Sequence, residues 1–209
     1  MFPNRERAGA ALAVALAPRI AAQPTQLYGL ARGGVLVARP IAEELRLPLD
    51  VLVACKVGAP GQPELAVGAV SEGGGEYWDE WATQALVLTP QWRRAAVVSA
   101  ADEVQRRVLR YRGATLAVDP GALALVVDDG IATGSTVLAA LRGLRALGAA
   151  RVAVASPVAS REALELLGRE AQWTVAIEMP EPFVAVGAHY DEFEPVDDSS
   201  LMRALGAVA

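Results

Sequence analysis

Two adjacent carboxylates, Asp128 and Asp129, are followed closely by three hydroxyls, Thr133, Ser135 and Thr136, in the densest chemical constellation of this 209-residue sequence. Paired acids accept hydrogen bonds from a vicinal diol or hold a hydrated divalent cation. Hydroxyls on a turn with free backbone N–H groups, backed by a helix N-terminus, donate to a phosphate ester. Phosphate and diol together point to a ribose 5-phosphate. The elements that must position these groups surround them. Leu123, Ala124, Leu125, Val126 and Val127 form an unbroken apolar run, which suits a strand buried on both faces. Gly130 to Gly134 supplies the turn, and Ser135 and Thr136 stand where a helix cap belongs. Val137, Leu138, Leu141, Leu144 and Leu147 then recur on one helical face, closed by Gly148.

A second strand, turn and helix lies upstream. Residues 27–30 read as a short strand, Ala31-Arg32-Gly33-Gly34 as a turn, and 35–45 as a helix that Pro40 should kink or delay. A glycine turn between strand end and helix start is where α/β proteins bind ligands, because backbone amides approach an anion closely there. Residues 49–56 read as the next strand and bring Cys55 and Lys56 to the same edge. Lys56 is the single lysine among 19 basic residues. A compact ammonium, without the fork of arginine, either suits a crowded anion site or is a lysine retained on the surface by chance. Cys55 reads as a small buried hydrophobe, since His189 is the single histidine of the chain and none stands near to activate a thiol.

The remaining chain alternates helix and strand. Residues 4–22 carry Ala8, Leu12, Leu16 and Ile20 at helical spacing, ended by Pro24. Residues 57–92 change character: Gly58, Pro60, Gly61 and Pro63 give turns, 65–70 a short strand that 86–88 could pair with, and Gly73-Gly74-Gly75 a flexible point. Glu64 and Glu72 there either reach a metal or ribose or are solvated loop acids. Residues 91–112 predict a long helix whose Arg106, Arg107, Arg110 and Arg112 complement the macrodipole, with Arg106 or Arg107 as the alternative cation for a phosphate. Strand 151–156, helix 160–167 and strand 173–178 follow, then a Pro-rich acidic tail. The expected architecture is α/β, with a mostly parallel five-stranded central sheet flanked by helices.

Composition removes several classes. With 53% hydrophobic residues and no apolar run long enough for a span, the chain reads as an ordered, cytoplasmic α/β protein with no membrane partner, and its N-terminus lacks a signal-peptide pattern. A net charge of -5 without a basic face argues against nucleic acid. One cysteine and one histidine argue against disulfides, Cys/His metal cages and Ser-His-Asp hydrolysis. No G-x-G-x-x-G follows a strand, and no Lys precedes Ser135 as a P-loop requires.

The run VVDDGIATGST, Val126 to Thr136, closely resembles the phosphoribosyl-pyrophosphate (PRPP) motif of the type I phosphoribosyltransferases. The resemblance implies that Asp128 and Asp129 take the ribose hydroxyls, touching a Mg²⁺ ion only through ribose or water. It implies that Gly130, Ile131, Ala132, Thr133, Gly134, Ser135 and Thr136 wrap the 5-phosphate. It also implies that Ala31, Arg32, Gly33, Gly34 and Lys56 hold the pyrophosphate, Arg32 and Lys56 acting catalytically with the two aspartates. The family places a mobile hairpin near 57–92 and a hood that binds the nucleophile. On that pattern 1–156 is the core, and 157–209 adds the last core helix and strand plus the hood, where Phe183, His189, Tyr190 and Phe193 could stack a base. Where purine-salvage members have an aspartate before the Thr-Gly, this chain has Ala132, so the acceptor, a nucleobase or related amine, is left unassigned. The resemblance leaves room for a homodimer. A non-catalytic PRPP- or nucleotide-binding regulator on the same fold is the alternative.

Overall fold

In the computed structural model, which describes residues 1–206, the first helix α1 (Arg5–Ile20) starts at Asn4, whose side chain accepts the Arg7 N–H. There follow β1 (Thr25–Leu30), α2 (Gly33–Leu45), β2 (Leu49–Leu52), β3 (Ala54–Ala59), β4 (Gln62–Ser71), β5 (Glu76–Trp78), α3 (Glu80–Ala85) and α4 (Pro90–Tyr111). The second half holds β6 (Leu123–Val127), α5 (Ser135–Ala146), β7 (Arg151–Val158), α6 (Arg161–Gly168), β8 (Thr174–Glu178) and α7 (Asp198–Gly206). No helix among the described residues is long and apolar enough to cross a membrane.

The central sheet has five strands in the order β2-β1-β6-β7-β8, every neighbouring pair parallel. The apolar run 123–127 is its middle strand, and the two-residue alternation divides it between layers. Leu123, Leu125 and Val127 face Leu12, Leu16, Val37 and Ile41 of α1 and α2, while Ala124 and Val126 face Leu138, Leu141 and Leu144 of α5. Pro40 does not end α2, which begins two residues before the sequence suggests. Gly9 of α1 packs directly on the Val37 carbonyl and the Pro40 ring, and a Cβ there would collide with both.

The apolar run 49–56 is two strands rather than one. β2 stays in the parallel sheet, and β3 joins a separate antiparallel sheet, β3-β4-β5. The break is at Val53, whose N–H donates to the Glu72 carboxylate (2.9 Å) and whose carbonyl accepts the Glu72 N–H (3.0 Å). Glu72 is thus a structural anchor, neither a ligand nor a solvated acid. Arg112 pairs with it and donates to the Val51 carbonyl (2.7 Å), so this arginine leaves the helix-end role and ties α4 to β2. Burial pushes the Glu72 carboxyl up, and the bonds from Arg112 and Val53 oppose that.

The hairpin 57–92 is built differently from its sequence reading as well. The partner of β4 besides β3 is β5, and 86–88 forms no strand: Leu86 caps α3, and Val87 has φ 49°. Two of the three glycines are held against α5, and Gly74 between them stays open to solvent. Gly73 and Gly75 lie against Gly143 of α5, and a Cβ on Gly143 would strike the Glu72 carbonyl and Ser71 Oγ. Replacing Gly143 by alanine should therefore cost about 2 kcal/mol in urea unfolding, the collision outweighing the helix propensity gained.

After β8 the chain crosses back over the sheet edge, and Phe2 pairs with Tyr190 in an isolated bridge. The acidic tail ends in a helix that its sequence reading did not assign: α7 packs Leu201 and Ala204 against Val35, Val51 and Val53.

Candidate functional site

The carboxyl ends of β1 and β6 and the body of β3 open onto one cavity of about 790 Å³. After Leu30 the chain turns through a cis peptide bond between Ala31 and Arg32, with the Ala31 N–H held by the Leu52 carbonyl (2.9 Å). Gly33 rests on the Asp129 carboxylate and Gly34 on the Val127 carbonyl, and a Cβ at either position would overlap those atoms. The two glycines thereby bring the first turn against the second.

The second turn is anchored from β7 and α6. The Ile131 N–H donates to the Val158 carbonyl (2.9 Å), Ser160 N–H to the Ile131 carbonyl (2.8 Å), and Ser160 Oγ to the Ala132 carbonyl (2.6 Å). The helix cap falls on Gly134, at φ 78°, rather than on Ser135, which is the first residue of α5. Only glycine adopts that backbone cheaply. The hydroxyls of Thr133 and Ser135 bond each other (3.0 Å), and the Ser135 N–H donates to Thr133 Oγ1 (3.5 Å), which ties the turn to the first residue of α5.

The two aspartates occupy different environments. Arg5 Nε donates to Asp129 Oδ2 (2.7 Å), and both side chains are nearly buried, 11% and 14% exposed. The same guanidinium donates to the Glu194 carbonyl (2.9 Å) and lies 3.8 Å from the centre of the Phe193 ring. Tyr190 donates its hydroxyl to the Asp129 carbonyl. Asp128 has no such cation bonded to it. Burial, then the charge of Asp129, push its carboxyl well above the usual carboxylate range, with the Asp129 N–H and Lys56 opposing. Among the described residues no three His, Cys, Asp or Glu side chains gather as a metal cage.

Most of the residues expected from the sequence meet here. Ala31, Arg32, Gly33, Lys56, Asp128 to Gly134 and Thr136 line the cavity, whereas Gly34 and Ser135 sit behind it. Cys55 lies in the wall, and burial pushes its thiol up. The opposite wall is α4, which contributes Ser99, Glu103 and Arg107, with Arg107 Nε on Glu103 Oε1 (2.6 Å). Among the described residues of the tail, Val186 and Phe193 reach the cavity. Tyr190 is turned beneath Phe193, and His189 lies beside Phe183 and Glu178. Arg5 was the residue that local sequence reasoning missed. An arginine on the buried stripe of an otherwise Ala/Leu helix face is its one signal, since such a charge needs a partner.

The family model for the phosphoribosyl transferase domain matches residues 2–190. Two curated relatives from Mycobacterium tuberculosis strains, each provisionally named a phosphoribosyl transferase, are 37% identical over 206 residues, 98% of this chain and 46% of theirs. The chain therefore spans about half the length of the curated relatives it matches. Among solved structures, the TT1426 protein of Thermus thermophilus is 40% identical with a TM-score of 0.80, covering 100% of this chain and 99% of that one. A purine phosphoribosyltransferase of Pyrococcus horikoshii shares the fold at 17% identity and a TM-score of 0.50, over 93% of each chain. The chain belongs to the phosphoribosyl transferase domain family.

Proposed function

We propose that the chain transfers a phosphoribosyl group from PRPP to a nitrogen nucleophile, a nucleobase or related amine, with release of pyrophosphate. The observation that carries this reading is the convergence of three groups on one cavity: the Ala31–Gly33 turn, Lys56, and the Asp128–Thr136 turn. The second turn suits the 5-phosphate, with the N–H groups of α5 and the Thr133 and Thr136 hydroxyls as donors. Asp128 accepts from the ribose hydroxyls. Arg32, Lys56 and the Gly33 amide face the leaving group.

In the transfer, the bond from the anomeric carbon to pyrophosphate breaks, and its electron pair leaves with the pyrophosphate. The anomeric carbon then carries positive charge, as in glycosyl transfer, until the nucleophile's lone pair forms the new bond. The work of the side chains is to hold both partners and to stabilise the departing anion. Magnesium fits this donor set. Mg²⁺ keeps several waters and takes its other ligands largely from substrate phosphates, and the pyrophosphate oxygens, with Asp128 reaching the ion through a ribose hydroxyl or water, would provide that. Bound there, the ion would neutralise charge on the pyrophosphate.

Isothermal titration with PRPP and Mg²⁺, followed by pyrophosphate release over a panel of bases and amines, tests the proposal. Release dependent on one acceptor supports it. Binding without release from any acceptor would favour the second reading, a PRPP-binding regulator, which Ala132 favours because it offers no proton acceptor beside the nucleophile. Within the first reading, Lys56→Ala should weaken pyrophosphate by about ten- to hundredfold and ribose 5-phosphate by less than about threefold. Equal losses, measured by titration of each ligand, would refute the assignment of Lys56.

A further inference from the structure

Beyond the outer end of the Arg32 turn lies a smaller cleft of about 190 Å³. It shares the walls Arg32, Glu103 and Arg107 with the large cavity and adds Arg106, Arg110, Tyr111 and Asp198. Four guanidiniums thus face two carboxylates, which leaves two positive charges in excess in a chain whose net charge is -5. Glu103 pairs with Arg106 and with Arg107 (2.6 Å), and Asp198 pairs with Arg110 (2.8 Å) and more distantly with Arg32 (3.6 Å). Asp198 also accepts the Tyr111 hydroxyl (2.7 Å). Burial and that carboxylate hold the Tyr111 hydroxyl up at about 12, so it remains a neutral donor.

Ion pairing and the helix C-terminus account for only part of this concentration of charge. Arg106 and Arg110 are one helical turn apart, as are Arg107 and Arg110, and like charges at those spacings repel. The side chains of Arg106 and Arg110 are 73% and 67% exposed, and ion pairs that exposed contribute little. Guanidiniums present several N–H donors in a planar fork, the geometry that phosphate oxygens accept from two at a time. An oxyanion entering the cleft would relieve the repulsion and take up donors that the two carboxylates leave over.

We propose that this cleft is a second oxyanion site, for phosphate or pyrophosphate, continuous with the cavity through Arg32 and Arg107. Arg106 and Arg110 are its outer jaws, and Arg32 is the residue through which an anion passes from one site to the other. As an outlet for released pyrophosphate the cleft depends on the transfer reaction proposed above. As an anion site it stands without it.

The test follows the arginines themselves. The whole chain, isotope-labelled at its arginine side chains, is titrated with pyrophosphate and separately with orthophosphate, and the Nε–Hε signals of Arg106 and Arg110 are recorded after assignment by Arg106→Lys and Arg110→Lys. The expected result is a saturating shift at both signals. Arg106→Ala should weaken the curve read at Arg110 by about ten- to hundredfold without changing the melting temperature. The anion that saturates at the lower concentration identifies the occupant. Signals that stay fixed while Arg32 responds would confine the anion to the inner turn and overturn the proposal. So would a uniform drift of all exposed arginines that sodium chloride reproduces. Ribose 5-phosphate, titrated in parallel, separates the two claims: if it fails to bind while Arg106 and Arg110 still saturate, the transfer reading falls and the cleft remains.

Discussion

Arg5→Ala lowers the melting temperature by roughly 6–20 °C, because removing one partner of a buried ion pair costs about 3–5 kcal/mol in a domain of this size. The guanidinium of Arg5 is the cation bonded to the Asp129 side chain, and without it a nearly buried carboxylate is left in the crevice between α2 and β6. The loss extends further. The same group donates to the Glu194 carbonyl and supports the Phe193 ring, so the tail loses its seat over the cavity at the same time. Arg5→Lys should recover only part of the stability, since an ammonium cannot reach the carboxylate, the carbonyl and the ring face from one position as the planar fork does. Arg39→Ala is the internal control. Arg39 and Glu43 form an exposed pair one turn apart on α2, and its removal should stay within about 0.5 kcal/mol. Scanning calorimetry and urea unfolding of the three variants measure the differences. If Arg5→Ala matches Arg39→Ala, the Asp129 carboxylate is hydrated and the pair is not a structural tie.

Asp128→Asn should separate stability from ligand binding. The amide cannot ionise to the acceptor that the ribose hydroxyls would draw from the carboxyl on binding, and PRPP affinity should fall on the order of a hundredfold. Stability should move the other way. Burial and the neighbouring Asp129 raise the Asp128 carboxyl in the folded chain, so the native state retains a proton that the unfolded chain has shed. Its contribution to stability is complete on the acid side. It declines as pH rises from the ordinary aspartate range near about 4 to the raised folded value, and beyond that the ionised form remains a constant cost. An amide never ionises. The variant should therefore match the parent near the low end and become relatively more stable as pH rises, levelling off above the raised value. Melting curves across pH for both proteins, with PRPP titrations at neutral pH, read the two effects. A stability difference independent of pH would sink the electrostatic account of Asp128.

These two aspartates also show how far the sequence carries. The run of five apolar residues before them dictated a doubly buried strand, and the structure places it at the centre of the parallel sheet. The turns at 31–34 and 128–136 were likewise legible, because glycine and hydroxyl at strand ends have local meanings, whereas Lys56 lines the cavity from the body of β3 in the second sheet and not from the end of a parallel strand. What escaped depends on partners remote in sequence. Nothing within 49–56 says that Val53 leaves the sheet; the cause is Glu72, which clamps both its backbone groups from 19 residues away. The glycine triplet at 73–75 reads as loose until Gly143 is brought against Gly73 and Gly75. The different environments of Asp128 and Asp129 come from Arg5, which local pattern reads only as an N-terminal charge. α7 was hidden for a related reason: its apolar side is short and finds its partners on α2 and β2.

The Arg5 clasp bears on the order of assembly. Its contacts to Asp129 and Glu194 span 124 and 189 residues of chain. Such closures cost entropy before any contact offsets it. The β6-β7-β8 part of the sheet can form from segments near one another in the chain, but the Arg5 contact to Glu194 requires that the tail has already returned. In refolding followed by PRPP titration, affinity should therefore return with the seating of Phe193 and Glu194 rather than with the far-ultraviolet signal of the sheet.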